Sequence, residues 1–203
     1  MARPVRILVL GNDPQINEIA FSRLDPEIKT LGVNRIWLKH IPNYFFFNDR
    51  EILRELAKLP DAVRALSSKS QCFSSDWLLH PRSQQLAVPN WLKVYNRQKK
   101  NSFPDSVTTA MALFRTQYLK GIDVTFYVAG VSLRWSNPSH FWKELDYSAL
   151  NQHGQEWYDR RFKLVLENFK KLPIPREKIV SVHPESLLNK YYRYEGIENL
   201  YRV

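Results

Sequence analysis

The chain has 203 residues, of which 44% are hydrophobic and 13% aromatic, enough apolar material for one domain with a buried core. Its single cysteine, Cys72, excludes a disulfide framework or a cysteine-based zinc site within one chain. A net charge of +10 favours an anionic partner such as a nucleotide, a phospholipid headgroup or an acidic sugar. The basic residues are dispersed and form no zinc-finger or RNP signature, so nucleic acid is the weaker interpretation.

The two ends of the chain bear on where the protein works. The N-terminal residues lead directly into an apolar run without the apolar core of a secretory signal. No stretch reaches the roughly 18 apolar residues of a membrane span, and we therefore expect a cytoplasmic protein. Residues 190–202 mix tyrosines with basic side chains, as a peripheral contact with an anionic membrane would. A packed segment with solvated charges explains the same pattern, and the sequence leaves an oligomer open.

The first motif lies near the N-terminus. The apolar run Ile7–Leu10 stops at Gly11 and is followed by Asn12, Asp13 and Pro14. This pattern predicts a buried strand, a tight turn and a helix that begins with Pro14 and is capped by Asn12 or Asp13. Such a turn directs backbone N–H groups out of the carboxyl edge of a sheet, where nucleotide phosphates bind in open α/β folds. An ordinary strand–helix connection is equally compatible, because the dinucleotide fingerprint needs three glycines.

Further strands and helices alternate along the rest of the chain. Strands are predicted at 32–38, 71–73, 91–95, 125–130 and 178–182, with an aromatic loop at 44–47. Helices are predicted at 50–59, 106–118 and 156–171, and a last helix opens at 184–188. The late helix is expected to face inward through Trp157, Phe162, Val165, Leu166 and Phe169. The alternation predicts an α/β protein with a doubly wound, mostly parallel, Rossmann-like sheet. We expect one nucleotide-binding domain over 1–203, with a small lid or insertion within 132–152.

Four collinear segments carry a likeness to a known family. They are a strand, turn and helix end over 7–24, a strand with an early asparagine over 33–38, a helix start with the following strand at 106–131, and His-Pro-Glu-Ser-Leu-Leu at 183–188. In these segments the chain resembles the bacterial sialyltransferases of glycosyltransferase family 42, which build lipooligosaccharide termini. The resemblance implies a metal-independent, inverting transfer of an acidic sugar from a CMP-linked donor to a glycan or glycolipid acceptor. The nucleotide sugar is then a substrate, and no cofactor is needed.

The resemblance also assigns binding residues by position. The implied contacts with the nucleotide, its phosphate and the sugar are Gly11, Asn12, Asp13, Asn34, Ser106 and Thr108. Amide side chains can both donate to and accept from a base edge or a ribose. A helix N-terminus with hydroxyl groups suits an anionic leaving phosphate, so no metal is required. One departure is Asp13, which stands where the family has a glycine and puts a carboxylate where a phosphate would approach.

His153, just before the late helix, is the general base that the resemblance implies. An imidazole titrates near neutrality and can take a proton from an attacking sugar hydroxyl. A solvent-exposed loop histidine is the competing interpretation. For His183, a packing role is expected, because the resemblance places a cysteine there. Arg134 stands near the family's phosphate-binding tyrosines; a guanidinium can neutralise the phosphate, or its presence can mark lost chemistry.

Two other classes of function stay open at this stage. One is a non-catalytic or regulatory nucleotide-binding homologue of the same fold. The other is a Rossmann-type methyltransferase, which usually has a more glycine-rich first loop than this chain has at Gly11.

Overall fold

The computed structural model describes residues 4–79, 87–96, 103, 105–134, 141 and 155–202. The strands are β1 Val5–Leu10, β2 Lys29–Val33, β3 Tyr44–Phe46, β4 Gln71–Ser75, β5 Leu92–Tyr95, β6 Val124–Ala129, β7 Ile179–Ser181 and β8 Arg193–Tyr194. The α-helices are α1 Arg50–Leu56, α2 Pro60–Lys69, α3 Ser106–Gln117 and α4 Gln155–Lys170. Short 3-10 helices connect several of these elements.

All eight strands form one sheet in the order β5-β4-β3-β2-β1-β6-β7-β8, and every neighbouring pair is parallel. The chain builds outward from β1 to β5 and then returns to the other side of β1 through β6. This reversal is the topological switch point at which open α/β sheets bind ligands. Leu10 is in register with both Gly32 and Ala129, so β1, β2 and β6 end side by side. The expected doubly wound, parallel α/β fold is confirmed.

Each face of the sheet is covered by its own hydrophobic core. On β1, Ile7 and Val9 pack with α3 and α4 on one face. Leu8 and Leu10 pack with α1 and α2 on the other face. Successive side chains of a strand point to opposite faces, so a strand covered on both sides is apolar throughout. Burial on both faces explains why β1 is a continuous apolar run that is easily predicted from the sequence.

Three local expectations on the β2–β4 side are wrong. The strand predicted at 32–38 is β2, which ends at Val33, and residues Asn34–Leu38 form a 3-10 helix. The aromatic residues expected in a loop form β3, because they fill both cores next to β2. The helix predicted over 50–59 ends at Leu56, and α2 then begins at Pro60, which cannot continue a helix.

Other boundaries differ in smaller ways. The helix expected to begin at Pro14 is a 3-10 helix, Pro14–Glu18. The helix expected to open at 184–188 is a 3-10 helix, Leu187–Lys190, and the unexpected β8 follows it. The late helix is confirmed as α4, but Trp157 is 39% exposed near its start instead of facing inward. Within the described part of the chain, no helix has both the length and the apolar character to cross a membrane.

Candidate active site at the switch point

The turns after β1 and β6 pack directly against each other. A Cβ atom on Gly11 would lie 2.2 Å from the carbonyl oxygen of Gly130. Gly130 has a φ of +65°, and a Cβ there would lie 2.6 Å from the side chain of Ile16. Only glycine fits such a close approach and such a backbone. The two glycines that end the strands therefore fix the switch point.

Asp13 links these two turns. Its backbone N–H donates to the Gly130 carbonyl at 3.1 Å, and its carboxylate accepts from the Ser132 N–H. The side chain therefore does not cap the 3-10 helix, contrary to the expectation from the sequence. Burial raises the pKa of this carboxyl to about 6, although the hydrogen bonds from Ser132 act in the opposite direction. The Asp13 carboxylate therefore occupies the backbone N–H of Ser132.

Backbone strain lies at the same edge of the sheet. Among the described non-glycine residues, only Asn34 (φ +53°) and Leu133 (φ +56°) are left-handed. Asn34 comes directly after β2, and Leu133 lies in the turn after β6. Asparagine tolerates this region, whereas for leucine such a conformation costs about 1–3 kcal/mol and persists only where packing enforces it. Leu133 is held because its side chain is buried in the core under α3.

Unpartnered polar atoms also collect at this edge. The described residues contain six buried side-chain oxygens or nitrogens without a hydrogen-bond partner, and three of them lie at or within two residues of a strand end: on Asn12, Asn34 and Ser181. Asn12 and Asn34 each follow the paired positions Leu10 and Gly32 by two residues, so they belong to neighbouring turns. An unpaired buried polar group costs about 1–3 kcal/mol. These amide oxygens have almost no exposed surface, so a ligand that donates hydrogen bonds to them must first displace the groups that cover them.

Asn48, after β3, is a further asparagine at this edge that the sequence analysis did not include among the site residues. Its Oδ1 accepts from the Ser75 N–H at 3.2 Å and from the Ser75 hydroxyl at 2.7 Å. The signal was present, because an asparagine follows the apolar runs of β1, β2 and β3 alike. This spacing identifies Asn48 only when β3 is known to be a strand and not a loop.

At the start of α3, polar side chains form hydrogen bonds with one another and with the helix backbone. Asp105 caps the helix by accepting from the Thr108 N–H at 2.8 Å, and it also accepts from the Thr108 hydroxyl and the Asn168 amide. Thr108 is fully buried and its hydroxyl donates to Asp105, and its contact with a ligand stays a prediction. Ser106 is only half-buried, and its contact with a ligand stays a prediction.

The expected catalytic residues lie on the β6–β7 side or outside the described residues. Arg134 is exposed, and its backbone N–H donates to the Ser132 hydroxyl at 3.3 Å. His153 lies outside the described residues, as does most of the segment expected to form a lid. Within that segment Phe141 is described, and its N–H donates to the Asn12 carbonyl at 3.1 Å. No group of three metal-ligating side chains occurs among the residues that the structure describes.

His183 follows β7 and faces the same edge. Its Nδ1 accepts from the Glu185 N–H at 3.2 Å, and it lines a cavity of about 60 Å³ together with Gln15, Glu18 and Gly130. Burial lowers the pKa of His183, helped by the positive charge of Arg134 and opposed by Glu18 and Glu185. His183 therefore borders a small cavity with a mostly apolar lining, which is compatible with the packing role expected for it.

The sequence matches no family model and no curated protein, but solved structures of Campylobacter jejuni sialyltransferases match it over nearly its whole length. An α-2,3-sialyltransferase in apo form has a TM-score of 0.53 at 16% identity, covering 100% of this chain and 84% of that one. The sialyltransferase CstII in complex with a trisaccharide acceptor and CMP has a TM-score of 0.52 at 13% identity, covering 98% and 88%. The monofunctional α-2,3-sialyltransferase Cst-I has a TM-score of 0.51 at 15% identity, covering 95% and 81%. The chain therefore has a sialyltransferase-like fold.

Proposed function

We propose that this chain is a divergent glycosyltransferase related to family 42, which transfers an acidic sugar from a CMP-linked donor to a glycan acceptor. The observation that carries this proposal is the set of unpartnered amide oxygens on Asn12 and Asn34 at the switch point. It gains weight from the fold, which is also that of a sialyltransferase solved with CMP and a trisaccharide acceptor.

The chemistry of the edge suits a cytidine nucleotide. The oxygens of Asn12 and Asn34 are hydrogen-bond acceptors, and the exocyclic amine of cytosine and the ribose hydroxyls are donors. Uracil presents a carbonyl oxygen where cytosine has its amine, so an acceptor oxygen facing that position selects cytosine. Gly11 lets the backbone approach the nucleotide closely, and Ser106 contributes a hydroxyl for the phosphate.

The reaction is a direct displacement. The acceptor hydroxyl oxygen attacks the anomeric carbon of the donor sugar, and its proton passes to His153. The bond from that carbon to the phosphate oxygen breaks, and CMP leaves with the electron pair. Arg134 and Ser106 stabilise the charge that develops on the leaving phosphate. These groups take the place of a metal ion, so we propose metal-independent transfer.

The test is the release of CMP from CMP-sialic acid, measured with and without a galactose-terminated acceptor. His153→Ala should lower turnover about 10²–10⁴-fold, the usual contribution of a general base, and leave CMP affinity unchanged. Arg134→Ala should slow transfer as well, and EDTA should have no effect. Full activity of the His153 variant would reject this base, and EDTA-sensitive activity would indicate another class of transferase.

A non-catalytic nucleotide-binding homologue is the second candidate, favoured by the carboxylate of Asp13 on the Ser132 N–H. It predicts that CMP raises the melting temperature while neither transfer nor donor hydrolysis occurs. A thermal-shift series with CMP, CDP, UDP and S-adenosylmethionine separates both candidates from a methyltransferase.

The same proposal includes peripheral contact with an anionic membrane that carries a glycolipid acceptor. Arg176, Lys190 and Arg193 line an open groove beside Tyr191 near the C-terminus. Co-sedimentation with vesicles is the test: binding to anionic vesicles and not to neutral ones supports the contact, and equal binding to both, or none, rejects it.

A further inference from the structure

An open groove of about 410 Å³ lies where the segments that lead into β7 and β8 meet. Arg176 and Glu177, just before β7, line one side of it, and residues 189–193, which lead into β8, line the other. None of these residues belongs to the turns after β1, β2 or β6, so the groove is separate from the proposed nucleotide site. A cleft of this size accommodates a ligand as large as a sugar phosphate.

The wall of the groove that precedes β8 is held in place from several directions. Arg176 Nε donates a hydrogen bond to the Tyr191 carbonyl. The ammonium group of Lys170 lies 4.4 Å from the centre of the Tyr191 ring. Tyr192 is buried and packs against Phe169, with the two ring centres 6.1 Å apart. The groove is therefore formed before any ligand binds, which lowers the entropic cost of binding.

Two cations at this groove are available to a ligand. Arg176 is exposed, and its hydrogen bond to Tyr191 uses Nε alone, so among the described residues its two terminal nitrogens have no hydrogen-bond partner. Lys190 is also exposed and forms no ion pair within the described part of the chain. Arg193 differs, because Glu195 pairs with it at 2.7 Å.

The charges favour a doubly charged anion. A phosphomonoester carries about −1.5 to −2 charges near pH 7 and presents three strong acceptor oxygens. A guanidinium group can bind two of these oxygens at once, and an ammonium group can pair with the third. A carboxylate or a phosphodiester carries a single charge and would leave one of the two cations, Arg176 or Lys190, without a partner. Glu177 lines the same groove and opposes any anion there.

We propose that this groove is a binding site for a phosphomonoester, held by the terminal nitrogens of Arg176 and by the ammonium group of Lys190. The phosphate belongs either to a soluble sugar phosphate or to a lipid headgroup. The inference rests on the proposed function in one respect, because it names the group that the groove recognises in the contact with an anionic surface. Binding of the phosphate itself requires neither CMP nor transfer.

The experiment is a titration with glucose 6-phosphate at constant ionic strength, followed through the backbone amide resonances of residues 189–193. Glucose 6-phosphate should shift these resonances, and glucose should not. Lys190→Gln should weaken binding at least about fivefold, and Arg176→Lys should weaken it because the bidentate contact is lost. Glu177→Gln should strengthen binding about twofold or more, since it removes a repulsive charge.

Lys69→Gln is the matched control for Lys190→Gln. Lys69 is exposed at the end of α2, and α2 packs on the opposite face of the sheet from Tyr191. The two substitutions remove the same charge, so only a local site distinguishes them. Equal weakening in both variants, or no shift of the 189–193 resonances and no preference for a lipid phosphomonoester, would overturn the proposal.

Vesicles distinguish the two sources of the phosphate. Phosphatidic acid is a monoester and phosphatidylglycerol is a diester, and the two kinds of vesicle are prepared with equal surface charge. A preference for phosphatidic acid that Lys190→Gln abolishes indicates a lipid headgroup. Binding of glucose 6-phosphate without that preference indicates a soluble sugar phosphate.

The affinity for CMP separates this inference from the proposed function. CMP affinity should be unchanged in Lys190→Gln, because the groove is separate from the switch point. A fall in CMP affinity in this variant would place the nucleotide in the groove and contradict a second site. A protein that binds glucose 6-phosphate through Lys190 and does not bind CMP retains the groove and rejects the transferase.

Discussion

The two sides of the switch point present different chemistry although they belong to one edge of one sheet. On the β1–β2 side, the unpartnered polar atoms are uncharged amide oxygens on Asn12 and Asn34. On the β6–β7 side, His183 follows β7 and Arg134 follows β6, and burial together with the positive charge of Arg134 lowers the pKa of His183. Between the two sides, the turn after β1 packs against the turn after β6 through the close contact of Gly11 with Gly130. One carboxyl edge therefore presents uncharged amides on one side and charged or titratable side chains on the other, and the contact between Gly11 and Gly130 joins the two sides.

The largest expected effect comes from breaking that contact. Gly11→Ala places a Cβ within 2.2 Å of the Gly130 carbonyl oxygen, and backbone on both strands must move. We expect a loss of at least about 3 kcal/mol in the free energy of unfolding, or failure to fold, as for other severe overpacking. Denaturation in urea measures this.

Gly121→Ala is the matched control for Gly11→Ala. Gly121 also has a positive φ, +78°, but a Cβ there meets nothing within 4 Å. Only the backbone strain of about 1 kcal/mol remains. Equal stability of the two variants would contradict a special role for the contact at the switch point.

The second prediction concerns how the stability that Asp13 contributes, through its hydrogen bond with Ser132, depends on pH. The pKa of Asp13 is raised from 3.8 to about 6 in the folded protein, so between these values the folded state binds more protons than the unfolded state. The contribution of Asp13 to stability is therefore most favourable below pH 4 and falls as the pH rises to about 6, by up to about 3 kcal/mol. Asp13→Asn should remove this fall, which urea denaturation at several pH values measures.

Asp25 supplies the comparison for that measurement. The backbone N–H of Glu27 and the side chain of Arg6 lower the pKa of Asp25, so its stabilisation is present above the unfolded pKa and lost as the pH falls. Asp25→Asn should therefore change the profile in the opposite sense. An unchanged profile in Asp13→Asn would indicate that the Asp13 carboxyl is solvated.

The smallest expected effect is on the affinity for CMP, and it tests the role of Asn34 on the β1–β2 side. Asn34→Gly keeps the left-handed backbone and removes the amide, which should weaken CMP binding by about 1–3 kcal/mol. Asn34→Ala should weaken it as well, with added backbone strain. Calorimetry that gives wild-type CMP affinity for Asn34→Gly would place the nucleotide elsewhere.

The sequence predicts the structure best where a feature depends on neighbouring residues. Gly11 and Gly130 each end an apolar run, and both are at the switch point as the α/β pattern predicts. The prediction failed for β3, because a three-residue strand carries too little periodicity to distinguish it from a loop. The hydrogen bonds of Asp105 with the Thr108 hydroxyl and with the Asn168 amide of α4 could not be predicted either, because they depend on how α4 packs against α3.

The sequence by itself determined the alternation of strands and helices, the glycine turns and the asparagines that follow apolar runs, because these depend on neighbouring residues and on burial of each strand. The tertiary structure alone decided which turns meet. Asp13 and Ser132 are 119 positions apart, and only the strand order brings them into one hydrogen bond. Gln15 and His183 line one cavity for the same reason. Contacts between distant segments depend on which strands pair, and strand pairing is set by the packing of the whole sheet rather than by any local pattern.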